Sequence, residues 1–503
     1  MKNSKKFILI ISLCVSLILL SCANGGSAGG ENKSGDNSVV NGQADNNDGS
    51  NNEKIEETAE IPYDAHLPDM DLAGMEFRIL NVDEESFWWS IANVDAESET
   101  GDIINDAIYT RNRIVEDKFN FIIKEIRIPS GNISNTISNS VKSGSDDYNL
   151  VIPFTYSVGG IASKGILTDL NSLPHIDLKN PWWGKSAVDF SILNKTYFAM
   201  SDFILTDKEN VSIMMYNKNI AKDLGMLSDM ELYALVESGG WTHDKFVDMI
   251  KSASADLNGN GVRDVDDRYG LLAIDWGYSA LMASTGERFS TKDAGDMPVF
   301  TANNPRFISV YGRIMELMNN RDYVIRSGID FNHLDLWGEV FTNDRALFCQ
   351  EVLSCVRLFS DMRSDFAVVP LPKLDESQSE YYSYGVWATC LGIPVTVANP
   401  ENTAIVIEAL SSLSRQRVMP AYYEIAIALK YLRDDISFRM LDIILKNVIC
   451  DPLRMVYDWG SFNSQFQSFA IKGNTDIVSL FEKYEGKINS AIQKTIEAYA
   501  ELP

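Results

Sequence analysis

Between Ala255 and Gly270 the chain reads ADLNGNGVRDVDDRYG, with side-chain oxygens at Asp256, Asn258, Asn260, Asp264, Asp266 and Asp267 and Gly261 in the middle. Calcium is a hard cation that takes about six to eight oxygen ligands. A twelve-residue loop supplies them from positions 1, 3, 5, 7, 9 and 12, with glycine at 6 for the tight turn. Here those positions are Asp256, Asn258, Asn260, the Val262 carbonyl, Asp264 and Asp267. Position 12 departs from the pattern, because Asp267 stands where a sensor loop carries a longer bidentate glutamate. The spacing predicts a Ca2+ site, against the competing reading of a solvated Asn-Gly turn.

The elements around the loop decide what such a site could do. Upstream, GGWTHDKFVDMIKSASA places Thr242 as an N-cap and puts Phe246, Met249, Ile250 and Ala253 at helical spacing. Downstream, RYGLLAI reads as a short strand, so the second helix of a signalling hand is missing. No second copy of the loop occurs, which weighs against a switch and against a paired-loop dockerin. A structural clip is the expectation.

The amino terminus points to export. MKNSKKFILIISLCVSLILLSC has lysines at 2, 5 and 6, an apolar run from Phe7 to Leu20, and a small residue before Cys22. That run is too short to span a bilayer and has the layout of a secretory signal. Leu19-Leu20-Ser21-Cys22 resembles a bacterial lipobox, although Leu20 is larger than the usual residue; the resemblance makes residues 1–21 the signal and Cys22 the lipidated first residue. The alternative is an ordinary signal peptide with an incidental cysteine. Residues 22–60 are nearly empty of large apolar side chains, cannot offset the entropy of ordering, and are expected to be a disordered tether. The expected location is outside the cell membrane, held to it by lipid.

The chain carries a formal net charge of -26, which argues against nucleic acid as a partner and for solubility. Beyond Cys14 and Cys22, the cysteines Cys349, Cys355, Cys390 and Cys450 lie in apolar contexts without clustered histidines. Buried free thiols are expected, with one disulfide left open.

The body from 61 to 503 is long enough for two or three domains. MEFRILNV, NFIIKEIRI and DYNLVIPF read as strands, and GDIINDAIYTRNRIVEDKF reads as a helix between the first two. Alternation of this kind predicts an α/β fold with a parallel sheet, whose ligands bind beyond the carboxyl ends of the strands. The second half is richer in helices: NPENTAIVIEALSSL with Asn399 as cap and Pro400 at the first helical position, DISFRMLDIILKNV, and a stretch from Thr475 to Ala500.

Several segments taken in order resemble an extracellular solute-binding protein (family 1 type) of carbohydrate ABC importers. They are YNLVIPFTYSVGGIASKGILTDLNSLP, SIMMYNKNIAKDLGM, GGWTHDKFVDMIKSA running into the acidic loop, WGEVFTNDRALF, FAVVPLPKLDESQSEYYSYG, CLGIPVTVANPENTAIVIEALSSL and YLRDDISFRMLDIIL. The resemblance implies a two-lobe periplasmic-binding-protein-like fold (type II), with hinged lobes closing on a ligand cleft. Lobe 1 would cover about 72–212 and 366–400, lobe 2 about 213–365, and C-terminal helices over 401–503 would pack across both. SIMMYNK would cross from the first lobe to the second, and the chain would return near FAVVPLP. The loop would brace the second lobe.

The implied function is a lipid-anchored substrate-binding protein, expected as a monomer. It would capture a small solute, a mono- or oligosaccharide, and deliver it to ABC transporter permease subunits. Sugar sites pair aromatic platforms with polar groups that fix orientation. Trp88 and Trp89, Trp276, Trp387 and Trp459 follow strands or a late helix, Trp182 and Trp183 are a weaker case, and Asp83, Tyr156, Asp202, Asp275 and Tyr384 lie near strand ends. The resemblance places Trp276 and Trp387 at the cleft; for any other single tryptophan, core packing is the more common fate.

No nucleophile elbow, H-E-x-x-H or phosphate loop occurs, and His66, His175, His243 and His333 are scattered. The expectation is therefore a protein that is not an enzyme. The rival readings are a calcium-braced surface adhesion or scaffold protein, a secreted carbohydrate-active enzyme, and the same fold binding a peptide.

Overall fold

The first sheet grows from the segment whose apolar residues begin the folded body. Strand β1 (Met75–Val82) is buried from Phe77 onward apart from half-buried Arg78, and runs parallel to β2 (Phe121–Ile128), with Met75 opposite Phe121 and Val82 opposite Ile128. Between them the helix Ile103–Phe119 starts where Asp102 accepts the Asn105 N–H, and stops at Asn120, whose φ of 50 turns the chain into β2. The short β3 (Leu150–Val151) lies on the other edge of β1, giving the order β2-β1-β3. The structure, a computed structural model, describes residues 67–83, 92–330, 333–428 and 435–503, excepting the side chains of 333–337, 424–428 and 435–438. The chain divides into one unit over Met1–Thr58, which lies outside the described residues, and a second over Ala59–Pro503.

The second sheet begins with β4 (Ser212–Asn217), buried at every position, as its apolar run Ile213–Tyr216 favours. It is joined by β5 (Tyr269–Ala273), and then, after a small hairpin of β6 (Ser290–Lys292) and β7 (Pro298–Phe300), by β8 (Val324–Arg326), β9 (Ala346–Val352) and β10 (Phe366–Val369). The order is β10-β4-β9-β5-β8; β4 runs antiparallel to both neighbours, while β9, β5 and β8 are parallel. SIMMYN, where a crossing is expected, therefore lies inside this sheet between β10 and β9.

The expected return point is corrected. β10 pairs along β4, with Phe366 opposite Asn217, and the chain beyond it stays with the second lobe. The indole of Trp241 donates to the Pro370 carbonyl at 2.8 Å, and the His243 N–H donates to the Lys373 carbonyl at 2.8 Å. The return comes at residues 385–394, where Gly385 bridges Val211, Thr389 bridges Phe154 and Gly392 bridges Val151. FAVV is apolar enough to be a strand in either lobe; backbone pairing with β4 decides which.

The helix Pro400–Ala428 lies along Ile103–Phe119, and a buried arginine joins them. Arg111 donates to the Ser414 hydroxyl at 3.1 Å, the Val94 carbonyl at 2.8 Å and the Phe203 carbonyl at 3.4 Å. The helix Asp435–Lys446 instead packs on β10, and the last helix, Ile477–Glu501, sets its Phe481 against Phe300 and Phe462. Parallel pairing of β11 (Ser383–Tyr384) with β12 (Val448–Ile449) ties the C-terminal region to the return segment.

Candidate functional site

A cavity of about 500 Å3 opens between first-lobe segments 178–188 and 200–208, the return segment 385–388, helix Pro400–Ala428 and the region 442–455. Its first wall is built by a short stretch that pairs back on itself. The Trp183 N–H donates to the Asn180 carbonyl, the Gly184 N–H to the Met200 carbonyl at 2.9 Å, and the Asp202 N–H to the Trp182 carbonyl at 2.9 Å. This pairing holds the NPWWG turn beside Asp202.

One carboxylate fixes that turn from across the chain. Glu408 accepts Asn180 Nδ2 at 2.8 Å, Trp182 Nε1 at 2.9 Å and Trp183 Nε1 at 2.8 Å. Burial pushes its carboxyl up to about 7, opposed by those three donors. Trp183 is buried and lines the cavity, and its indole is immobilised by the Glu408 contact.

The polar side of the cavity is a row of charges. Lys208 lies 2.6 Å from Asp202 and 2.7 Å from Asp207, and Arg415 approaches Asp202 at 3.5 Å. Asp207 and Ser186 each leave a buried side-chain oxygen without a hydrogen-bond partner among the described residues, and both line the cavity. Gly184 sits beside them: a Cβ there would lie 3.1 Å from Asp207 Oδ2 and 3.1 Å from Ser186 Oγ. Glycine at this position leaves room beside Ser186 Oγ and the Asp207 Oδ2 that pairs with Lys208.

The residues expected at a ligand are distributed unevenly around this cavity. Asp202 stands behind its wall, paired to Lys208. Trp387 lies between the lining residues Val386 and Ala388, is 38% exposed, and its carbonyl accepts Asn210 Nδ2 at 3.0 Å. Trp276 and Tyr384 form a separate pair, with ring centroids 6.3 Å apart and Arg454 5.4 Å over the Tyr384 ring. Tyr156 is exposed and stacks on Phe154 at 5.3 Å. Trp459 is corrected to core: it is 2% exposed, stacks on Tyr457 at 4.8 Å and donates its indole N–H to Thr495 at 2.9 Å. Trp88 and Trp89 lie outside the described residues.

Trp183 is the residue that sequence reasoning undervalued. Its signal was the Asn-Pro-Trp-Trp-Gly composition, in which two indoles need acceptors once buried. The acceptor, Glu408, lies on a helix that no local pattern connects to them.

The acidic loop follows helix His243–Ala253, capped by Thr242 as expected, and precedes β5, to which an Ala255–Arg268 bridge closes it. Asp256 accepts the Gly261 N–H at 2.9 Å and the Gly259 N–H at 2.7 Å, which holds its carboxyl below the usual range. Asn258 and Asn260 accept the N–H groups two residues ahead of them, and Asp264 accepts that of Asp266. Asp267 is fully buried and accepts the N–H of Leu257 at 3.0 Å and of Asp264 at 3.2 Å, pinning the loop's two ends together. The donor set is all oxygen and suits a hard cation by type. Among the described residues, however, no three His, Cys, Asp or Glu side chains form a group that could hold a metal ion, so the three aspartates as placed do not make a cage by themselves.

The four cysteines Cys349, Cys355, Cys390 and Cys450 are buried free thiols. Among the described residues no helix is long and apolar enough to cross a membrane.

No protein-family model and no curated protein sequence matches the chain. Solved structures do. The cyclic α-maltosyl-1,6-maltose binding protein from Arthrobacter globiformis superimposes with a TM-score of 0.57 at 14% identity, over 84% of this chain and 99% of that one. An ABC substrate-binding protein from Listeria monocytogenes in complex with cycloalternan gives 0.51 at 13% identity, over 85% and 99%. UgpB from Mycobacterium tuberculosis in complex with glycerophosphocholine gives 0.52 at 15% identity, over 78% and 96%. The chain has the α/β fold of these binding proteins.

Proposed function

We propose that the protein captures a small solute of the sugar class in the cavity beside Trp183 and hands it to an ABC importer. The observation that carries this reading is the joining of an immobilised indole to a row of buried and half-buried polar groups around about 500 Å3 of open space. That volume suits a small ligand held by a few orienting polar contacts. The fold neighbours bind cyclic and linear oligosaccharides, and one of them glycerophosphocholine. Capture rather than turnover is the activity proposed, because the fold neighbours are binding proteins.

The capture reading extends to location. A signal over 1–21, lipidation of Cys22 and a tether over 22–60 would hold the binding unit outside the cell membrane, next to the permease. Metabolic labelling with a fatty-acid probe tests it: label on the wild type and none on Cys22→Ala is expected, and equal labelling of both removes the anchor.

We also propose that the loop holds calcium as a structural brace. Asp256, Asn258, Asn260, Asp264, Asp267 and the Val262 carbonyl would supply the ligands. The bound ion would add positive charge against a loop that holds four aspartates within residues 256–267. The oxygen-only donor set and the Gly261 to Asp256 closure support this reading.

A further inference from the structure

We infer that the solute taken by the cavity carries an anionic group, as a sugar bearing a carboxylate or a phosphate does. The inference rests on the reading of this cavity as the solute site. The whole chain is acidic, with 70 Asp and Glu against 44 Lys and Arg. The cavity wall reverses that balance: five basic residues line it, against the carboxylates of Asp207 and Asp442.

The pairing of those charges shows which are available. Lys208 is committed between Asp202 at 2.6 Å and Asp207 at 2.7 Å, and Lys446 lies 3.3 Å from Glu380. Lys185 is different. Its ammonium donates to neutral acceptors, the Lys446 carbonyl at 2.6 Å and Asn447 Oδ1 at 3.2 Å, so these contacts position the cation without cancelling it. Lys179 is exposed on the same wall, and among the described residues no carboxylate pairs with its side chain. Arg415 shares the single carboxylate of Asp202 with Lys208, at 3.5 Å.

A surplus of cations in a concave, partly apolar wall focuses the field on an anion. Ser186 adds a buried hydroxyl with no hydrogen-bond partner among the described residues, at the same wall, able to donate to an oxyanion. A neutral sugar would leave Lys179 and Lys185 with no opposite charge, whereas a carboxylate or phosphate would meet both.

The test is calorimetric titration of the full chain with trigalacturonate, glucose 1-phosphate and maltotriose, each at low and at high salt. The expected result is saturable binding of one anionic probe that weakens with salt, as screening requires. The double variant Lys179→Gln, Lys185→Gln should weaken that binding by about tenfold with an unchanged melting temperature. The trigalacturonate and glucose 1-phosphate arms separate a carboxylate from a phosphate source. Salt-independent binding of maltotriose alone overturns the inference and leaves sugar capture standing. Binding of none of the three overturns both.

Discussion

Glu408 Oε2 accepts the indole N–H of Trp183 at 2.8 Å, although the two residues are 225 positions apart in the chain. The contact makes a cavity-lining ring depend on the ionisation of a carboxyl in the helix Pro400–Ala428. A charged acceptor makes the stronger hydrogen bond, and burial raises this carboxyl from an ordinary 4.5 to about 7. The folded protein therefore holds the proton more tightly than the unfolded chain. The stability that protonation contributes is full below about 4.5 and is lost as pH rises to about 7. His243 has the opposite sign: burial lowers it from 6.5 to about 4, so its contribution is present above about 6.5 and lost as pH falls through about 4. The difference between wild type and Glu408→Gln isolates the Glu408 component. The expected variant loses the wild-type decline in stability between about pH 5 and 7, measured by urea denaturation; identical pH profiles would contradict the assignment.

Ligand affinity should follow the same group in the other direction. Above about pH 7 the carboxylate accepts Asn180, Trp182 and Trp183 at full charge, and the wall is held firmly. Affinity is expected to fall as pH drops below about 7, and Glu408→Gln, which places an amide donor against one of the two indoles, should be weak at every pH. Titrations at several pH values check this.

Gly184 separates cavity shape from fold. Adding a methyl group would place carbon 3.1 Å from Asp207 Oδ2 and from Ser186 Oγ, and 3.4 Å from the Met200 carbonyl. Gly184→Ala is expected to lower ligand affinity by about tenfold, which corresponds to about 1.4 kcal/mol. Its thermal transition should move by only a few degrees. Unchanged affinity would place the ligand elsewhere.

Arg111 is the test of the packing that carries the wall. Its guanidinium is fully buried, and burial lowers it to about 9 while Asp95 opposes the shift. Arg111→Ala would leave the Val94 and Phe203 carbonyls and the Ser414 hydroxyl short of a donor. A loss of about 3 kcal/mol is expected in denaturant unfolding, and a loss under about 1 kcal/mol would contradict the bridging role.

For the loop, chelation is the direct probe. Wild-type protein treated with EGTA should melt at lower temperature, and added calcium at 100 times its Kd should restore about 2.7 kcal/mol. Asp256→Ala should melt at the same temperature with and without chelator. A wild type insensitive to chelator would return the loop to a solvated turn, held by the Gly259 and Gly261 amides on Asp256.

Much of the fold was legible because its signals are local. Thr242 caps its helix, β1 and β2 follow their apolar runs, and SIMMYN, apolar from Ile213 to Tyr216, forms the buried strand β4. The site was less legible because its contacts are long-range. Nothing near FAVVPLP states that β10 pairs with β4, which moved the return point to 385–394. Trp459 and Trp183 are both tryptophans beside glycine, and only the packing of Thr495 against one and Glu408 against the other separates core from cavity wall.

The central claim is capture of a solute beside Trp183, and intrinsic tryptophan fluorescence of the purified chain tests it most directly. The account predicts a saturable shift on titration with an acidic oligosaccharide. It also predicts a reduced shift and weaker binding in Trp183→Phe, whose ring keeps the apolar surface but gives Glu408 nothing to accept. A shift of equal size and midpoint in Trp183→Phe, or binding abolished only by Trp276→Ala, would contradict it and move the site to the Trp276–Tyr384 pair.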